Sequence, residues 1–381
     1  MNTTKTLSKR RKGAKKTLPL GDFSLRLGAF ARFYFVFLLP VSSAFGAPPP
    51  YVPPRSYVCY RTTTPPRLDG HLDDPAWQAA AWTEDFVDIE GPAKPKPRYR
   101  TRAKMLWDDN YLYVGAELTE PHVWATLAQH DSIIFNDNDF EVFIDPDGDN
   151  HEYCEFEINA LNTSWDLLLP RPYKDGGKAL DGWEIRGLRT GVHVDGTLNN
   201  ASDTDRGWSV AIAFPWKALG ELAHRPSPPR DGDQWRINFS RVEWRHKIVD
   251  GKYQKLPGTR EDNWVWSPQG VIDMHRPETW GYVQFSTARP GSAVFRPDPA
   301  GPARHLLHQI YYAERAYRKL HGRWARTLVE LGLSNLTHDS LAEDPLLETT
   351  TSLFEASVRI KLPAGKSQRW HIRQDSRIWS D

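Results

Sequence analysis

The densest group of residues suited to chemistry is the run Phe135-Asn-Asp-Asn-Asp-Phe-Glu-Val-Phe-Ile-Asp145. A strand beginning near Asp139 puts Asp139, Glu141 and Phe143 on one face and Phe140, Val142 and Ile144 on the other. Glu155 and Glu157 alternate in the next run, so a hairpin that pairs symmetrically about its loop sets Glu141 and Glu157 on one sheet face. Ionised carboxylates accept several hydrogen bonds each, and beside aromatic rings they suit hydroxyl-rich ligands. A solvated polar strand face accounts for the same pattern equally well. Asn162, Trp165 and Asp166 follow and extend the candidate site. Paired carboxylates also serve glycoside hydrolysis, which needs a defined separation between an acid and a second carboxylate that spacing alone does not give.

Asp145-Pro-Asp-Gly-Asp-Asn150 presents oxygens at alternate positions, as calcium loops do. It departs from the EF-hand pattern, with Gly at the fourth place and Phe156 at the twelfth, and a plain hairpin turn is the simpler reading. A second acidic loop, Asn199 to Asp205, has the same two readings.

The elements that must position these residues are mainly strands. Ala103, Met105 and Trp107 alternate into Asp108-Asp-Asn110, and Leu112, Val114, Ala116 and Leu118 alternate out, which predicts a hairpin. Further strands are predicted over 140–144, 153–160, 183–188, 191–195, 208–214, 235–244, 263–266 and 281–285. Short strands at roughly ten-residue spacing imply an antiparallel β-sandwich over residues 57–286. Asp74 before Pro75 starts a short helix over 76–81, and residues 122–129 and 216–219 also read as helical. A Pro-rich segment, 287–302, reads as a linker. Beyond it Leu306, Ile310, Ala313, Tyr317 and Leu320 predict an amphipathic helix over 303–321. A second helix over 324–331, a strand over 354–360 and a hairpin about Asp375-Ser376 complete a small α+β appendage, 303–381, read as a packing or assembly element.

Composition narrows the function classes. The chain has 381 residues, 39% of them hydrophobic and 25% charged, as in a soluble globular protein. The 16 Trp exceed what core filling suggests, and exposed aromatics are what sugar- and protein-binding surfaces use. The formal charge of +1 divides unevenly: residues 1–46 are strongly basic and the remainder mildly acidic, which argues against a phosphate-binding surface and against nucleic acid. Those first 46 residues read as a secretory signal peptide: a basic stretch, the apolar run Phe33-Tyr-Phe-Val-Phe-Leu-Leu39, and Ala44-Phe-Gly46 before a cut at Ala47. Export to the periplasm or the medium follows, with no membrane span kept after cleavage; a membrane anchor is the competing reading. Residues 47–56 are a Pro-rich lead-in. Cys59 and Cys154, the only cysteines, either pair in an oxidising compartment or stay as buried thiols, the favoured reading.

Six motifs in order carry a family resemblance: Leu68-Asp-Gly-x-Leu-Asp-Asp-Pro-Ala-Trp77, Leu106-Trp-Asp-Asp-Asn-Tyr-Leu-Tyr-Val114, Asp139-Phe-Glu-Val-Phe-Ile-Asp145, Gly207-Trp-Ser-Val-Ala-Ile-Ala-Phe-Pro-Trp216, Trp266-Ser-Pro and Trp280-Gly-Tyr-Val. Over residues 57–286 the chain resembles the family 9 carbohydrate-binding modules, found attached to xylanases and in stand-alone secreted bacterial proteins. The resemblance implies a β-sandwich that holds the end of a glycan between two aromatic rings, with charged residues on the sugar hydroxyls. It places Phe135 at the first ring, Glu141 at the strand glutamate and Asn159 at the asparagine, with Asp139 beside them. Glu157 stands where those modules have Arg, and Met274 falls near the second ring, so Trp264, Trp266 and Trp280 are the candidates for a substitute ring, with core filling the favoured reading of Trp266 and Trp280. It implies structural calcium, with Asp145, Asp147 and Asp149 as candidate ligands, and no organic cofactor.

Three functions compete. An exported glycan-binding module that supports carbohydrate catabolism, alongside polysaccharide-degrading partners, accounts for the most features. A glycoside hydrolase would rest on Glu141 and Glu157 without a separate catalytic domain. A haem-binding electron-transfer sandwich would use Met274 and a Met, His or Lys across the site as axial ligands.

Overall fold

A computed structural model describes residues 51–381 except 335, 337, 363 and 364. The proposed signal peptide and the first residues of the Pro-rich lead-in lie outside the described residues. The first strands are β1 (Ser56–Arg61), β2 (Val87–Asp88), β3 (Thr101–Trp107), β4 (Tyr111–Thr119), β5 (Asp139–Asp145) and β6 (Tyr153–Asn159). There follow β7 (Ser164–Leu169), β8 (Arg189–Asp195), β9 (Gly207–Pro215), β10 (Gln234–Glu243), β11 (His246–Val249), β12 (Lys252–Lys255), β13 (Asp262–Val265) and β14 (Gly281–Ser286). Twelve of these join one curled sheet in the order β7-β6-β5-β10-β14-β1-β3-β4-β9-β8, with β13 on β10 and β2 on β13; β11 and β12 form a separate ribbon. All pairings are antiparallel except β1 with β14 and β1 with β3. The inward faces meet in one core holding Trp107, Phe140, Phe156, Phe214, Trp216, Trp235, Phe239, Trp266 and Phe285. The β-sandwich expected from the spacing is the fold.

Ten of the sixteen Trp are buried and none is fully exposed. Most of the Trp therefore fill cores, where large flat rings suit the wide gap between curled faces, and six, Trp165 among them, are only partly buried. Both cysteines are free and buried, as favoured.

The motifs act as local fasteners. In α1 (Pro75–Ala79) Asp74 caps the helix, its carboxylate accepting from the amides of Ala76 and Trp77 at 2.9 and 3.0 Å. Asp108 takes the amides of Asn110 and Tyr111 and the Tyr113 hydroxyl, closing the β3–β4 hairpin. Gly70 has φ +87°, and a Cβ there would lie 2.2 Å from the His193 backbone nitrogen on β8. Gly70→Ala is expected to cost about 2 kcal/mol or more, because left-handed strain adds to a clash with unyielding backbone; a denaturant midpoint measures it.

Three local expectations are corrected. Residues 183–188 form turns, not a strand, with Gly187 at φ +86° breaking the extended path. Residues 122–129 are not helical: side chains capture the amides a helix would use, Asp205 taking Val123, Asn199 taking Ala125, and Asp137 taking Thr126 and Leu127. These bonds give the Asn199–Asp205 loop its role as a brace. Residues 324–331 are turns following Gly322, whose left-handed conformation ends α3 (Gly301–His321). α2 (Trp216–Leu219) is helical as expected.

In the appendage, α3 packs on a four-stranded sheet of β15 (Leu346–Thr349), β16 (Phe354–Lys361), β17 (Ser367–Arg373) and β18 (Ile378–Ser380). Residues 293–296 are pinned to the sandwich: the Ala293 amide donates to the Tyr60 hydroxyl at 3.0 Å and the Gln234 side chain to the Arg296 carbonyl at 2.6 Å. The turn between β17 and β18 clamps the acidic β5–β6 loop, with Asn150 donating to the Ser376 carbonyl and the Ile378 amide to the Asp149 carbonyl.

Candidate functional site

β5 and β6 pair so that Glu141 lies directly across from Glu157, Asp139 from Asn159 and Phe143 from Glu155. β7 adds Trp165 beside Glu157, β10 adds Ser240 beside Glu141 and Val242 beside Asp139, and β13 adds Asn263 beside Val242. Period-two alternation brings these side chains to the sheet face away from the main core. There Glu141, Phe143, Glu155, Glu157, Val242 and Asn263 floor a cleft of about 240 Å³ walled by Phe135, Trp165, Tyr173, Ile272, Met274 and His275.

The wall rests on the floor through hydrogen bonds. Phe135, on a turn at Ile134–Asn136, donates its amide to the Glu157 carboxylate at 2.8 Å, while its carbonyl accepts from the Trp244 indole at 2.8 Å. Its ring is 38% exposed. Tyr173, 44% exposed, stands edge-on to His275 with ring centroids 4.4 Å apart. His275 bonds to the Tyr153 hydroxyl at 2.9 Å, and burial pushes its pKa down to about 3, which keeps the ring neutral. Lys174 reaches the back of this wall and donates to the His275 carbonyl at 2.8 Å.

The floor carries an unusual density of carboxyl groups. Oxygens of Asp139, Glu141 and Glu157 lie within 4.8 Å of one another, and all three residues are buried. One Asp139 oxygen accepts the Val242 amide, while Oδ2 has no partner. Burial raises every carboxyl here. Glu141 is pushed up to about 7 by desolvation. Desolvation first, and neighbouring carboxylates second, hold Asp139, Glu155 and Glu157 well above the usual range.

The residues read from the sequence fall in different places. Phe135, Glu141, Glu157, Trp165 and Met274 line the cleft, whereas Asp139 is fully buried and does not. Asn159 is fully buried and occupied internally: its amide donates to the Leu127 carbonyl and the Asp137 carboxylate, and its oxygen accepts from Leu161 and Thr163. Trp264 lies on the opposite face, within the core, under the guanidinium of Arg241 at 5.2 Å. Trp266 and Trp280 are likewise buried. Asn162 and Asp166 do not line the cleft; Asp166 accepts the Ile185 amide. Tyr173, Ile272, Asp273 and Glu261 were not found from the sequence, because they arrive on loops whose path no periodicity reveals. The Tyr173-Lys-Asp175 turn inside a Pro- and Gly-rich stretch was the one available signal.

Asp145, Asp147 and Asp149 also converge, with oxygens within 4.8 Å. Asp145 accepts the amides of Gly148 and Asn150, and Asp149 accepts the His151 amide and pairs with Arg377 at 2.9 Å. Three hard carboxylates are the donor chemistry calcium takes. Arg377 and the backbone amides already supply part of that positive charge.

Residues 68–228 match the family described as carbohydrate family 9 binding domain-like. An exoglucanase, XynX, of Acetivibrio thermocellus is 25% identical over 154 residues, covering 40% of this chain and 12% of that enzyme. The chain thus spans a small part of that relative's length. A family 9 carbohydrate-binding module of Caldicellulosiruptor kristjanssonii, solved with cellotriose, is 16% identical over 64% of this chain and all of its own, with a TM-score of 0.40. The module from the same organism solved with glucose is 15% identical over 63% of this chain and all of its own, also at 0.40.

Proposed function

We propose that the cleft over β5 and β6 binds carbohydrate, a reading supported by the match of residues 68–228 to the family described as carbohydrate family 9 binding domain-like. The observation that carries this reading is the cleft itself: carboxylates on the floor to accept from hydroxyls, and Phe135, Trp165 and Tyr173 on the walls to lie against sugar C–H faces. The chain acts outside the cytoplasm, exported by residues 1–46, and serves polysaccharide breakdown beside other proteins that do the cutting. Calcium at Asp145, Asp147 and Asp149 braces the β5–β6 loop.

Binding suits this geometry better than hydrolysis. A glycosidase sets its two carboxyls about 5–5.5 or 6.5–9.5 Å apart, flanking the scissile bond. Glu141 and Glu157 are side-by-side neighbours on one floor. Hydrolysis also needs one carboxyl raised and its partner ionised, whereas burial raises both here. Electrophoresis of the protein through gels containing soluble polysaccharides tests the reading: retardation by at least one glycan is expected, and unchanged mobility in all of them contradicts it.

A further inference from the structure

The cleft gathers carboxyl groups without a cationic side chain in its lining among the described residues. Glu141, Glu155, Glu157, Glu261 and Asp273 line it, and neither Lys nor Arg does. Its one histidine is held neutral. Lys174 donates to the His275 carbonyl from behind the wall, and Lys255 is stacked over the Trp244 ring at 3.5 Å; neither lines the cleft. Buried like charges without a counterion are costly, and Asp139 adds a fully buried oxygen with no hydrogen-bond partner.

Resting on the carbohydrate reading above, we propose that the cleft selects amino sugars: its ligand is a glycan end bearing a free ammonium, held by Glu141 and Glu157 with the buried carboxyl of Asp139 beside them, and with the sugar ring against Phe135 and Trp165. An ammonium offers three N–H donors, and the triad offers three carboxylates within 4.8 Å of one another. Calcium takes six to eight oxygens, whereas the cleft sets the apolar side chains of Phe135, Phe143, Trp165, Ile272 and Met274 beside its carboxyl groups. A hexosamine supplies the positive charge and an apolar ring face in one molecule. A uronic acid is repelled by the same floor.

Calorimetry on the full chain at pH 7.5 and low salt, with glucosamine and its oligomers, glucose and cello-oligomers, and glucuronate, tests this. The amino sugars are expected to bind at least tenfold more tightly than their neutral counterparts, with glucuronate weakest and the preference shrinking as salt is added. Glu157→Gln, which keeps an oxygen for the Phe135 amide, is expected to erase the preference while melting normally. Glu141→Gln provides a second variant should that one misfold. Affinity for the amine should fall as pH drops through about 7, where Glu141, raised by desolvation first and by Glu261 against the opposing Ser240 hydrogen bond, takes up a proton; Asp139, Glu155 and Glu157 face it across the same floor. Equal or tighter binding of neutral sugars overturns the inference and leaves the carbohydrate reading intact. Neutral-sugar binding that appears only with calcium assigns the triad to a metal and overturns it too. No binding by any sugar, with or without calcium, overturns both.

Discussion

Arg241→Met is expected to lower the unfolding free energy by about 3–5 kcal/mol. Arg241 is 1% exposed, between the sheet faces, and its guanidinium donates to Glu120 at 2.6 Å, Glu243 at 2.9 Å, the Thr119 carbonyl at 2.9 Å and the Thr101 hydroxyl at 3.1 Å. One buried cation thus serves two buried carboxylates. Removing it strands both, which is why the cost is far above that of a surface pair. Desolvation already holds Glu243 well above the usual range, despite Arg241. The variant's deficit should therefore shrink as pH falls toward the ordinary glutamate range, where the stranded carboxyls become neutral. Urea melts at pH 8 and pH 5 measure this, and an equal deficit at both would contradict the electrostatic account.

The second large effect has the opposite sign for stability. Glu141→Gln should stabilise the protein by about 2–3 kcal/mol above pH 7. The folded-state pKa of Glu141 is raised from 4.5 to about 7. Its contribution to stability is therefore fully present below the unfolded value and is lost as pH rises through the folded one. The amide removes that penalty and leaves the neighbouring carboxylates less crowded. The same change should weaken ligand binding by roughly 10- to 150-fold, the range for losing a charged hydrogen-bond partner. A residue that costs stability and secures binding marks a site held for function. Thermal melts across pH 5–9 check the first half, and a variant no more stable than wild type at pH 8 would refute it.

How much of this was readable from the residues depended on whether period-two alternation extended to them. Glu141 and Glu157 are cross-strand partners because each sits in a regular strand around a short polar loop, so symmetric pairing sufficed. Phe135 came through the family pattern, and its amide bond to Glu157 explains why it stands at the cleft. Trp264 did not reach the cleft, because it shares a strand with Asn263 and alternation sends the two to opposite faces. Asn159 ends β6, where a turn draws its side chain into bracing the backbone. The extended run at residues 122–129 shows the same limit: its amides are claimed by Asp137, Asn199 and Asp205 from distant positions. The cleft's second wall, Tyr173 and Ile272, is tertiary throughout. The appendage was legible as a helix and a sheet, but its grip on the β5–β6 loop was not.

The most direct test of the central claim is calorimetric titration of the full chain with a panel of mono- and oligosaccharides, amino sugars included, beside Glu141→Ala. Saturable binding to at least one sugar, lost in the variant while its melting transition persists, is the predicted result. Binding that survives Glu141→Ala, or no binding to any sugar by the wild-type protein, would contradict the assignment of this cleft as a carbohydrate site.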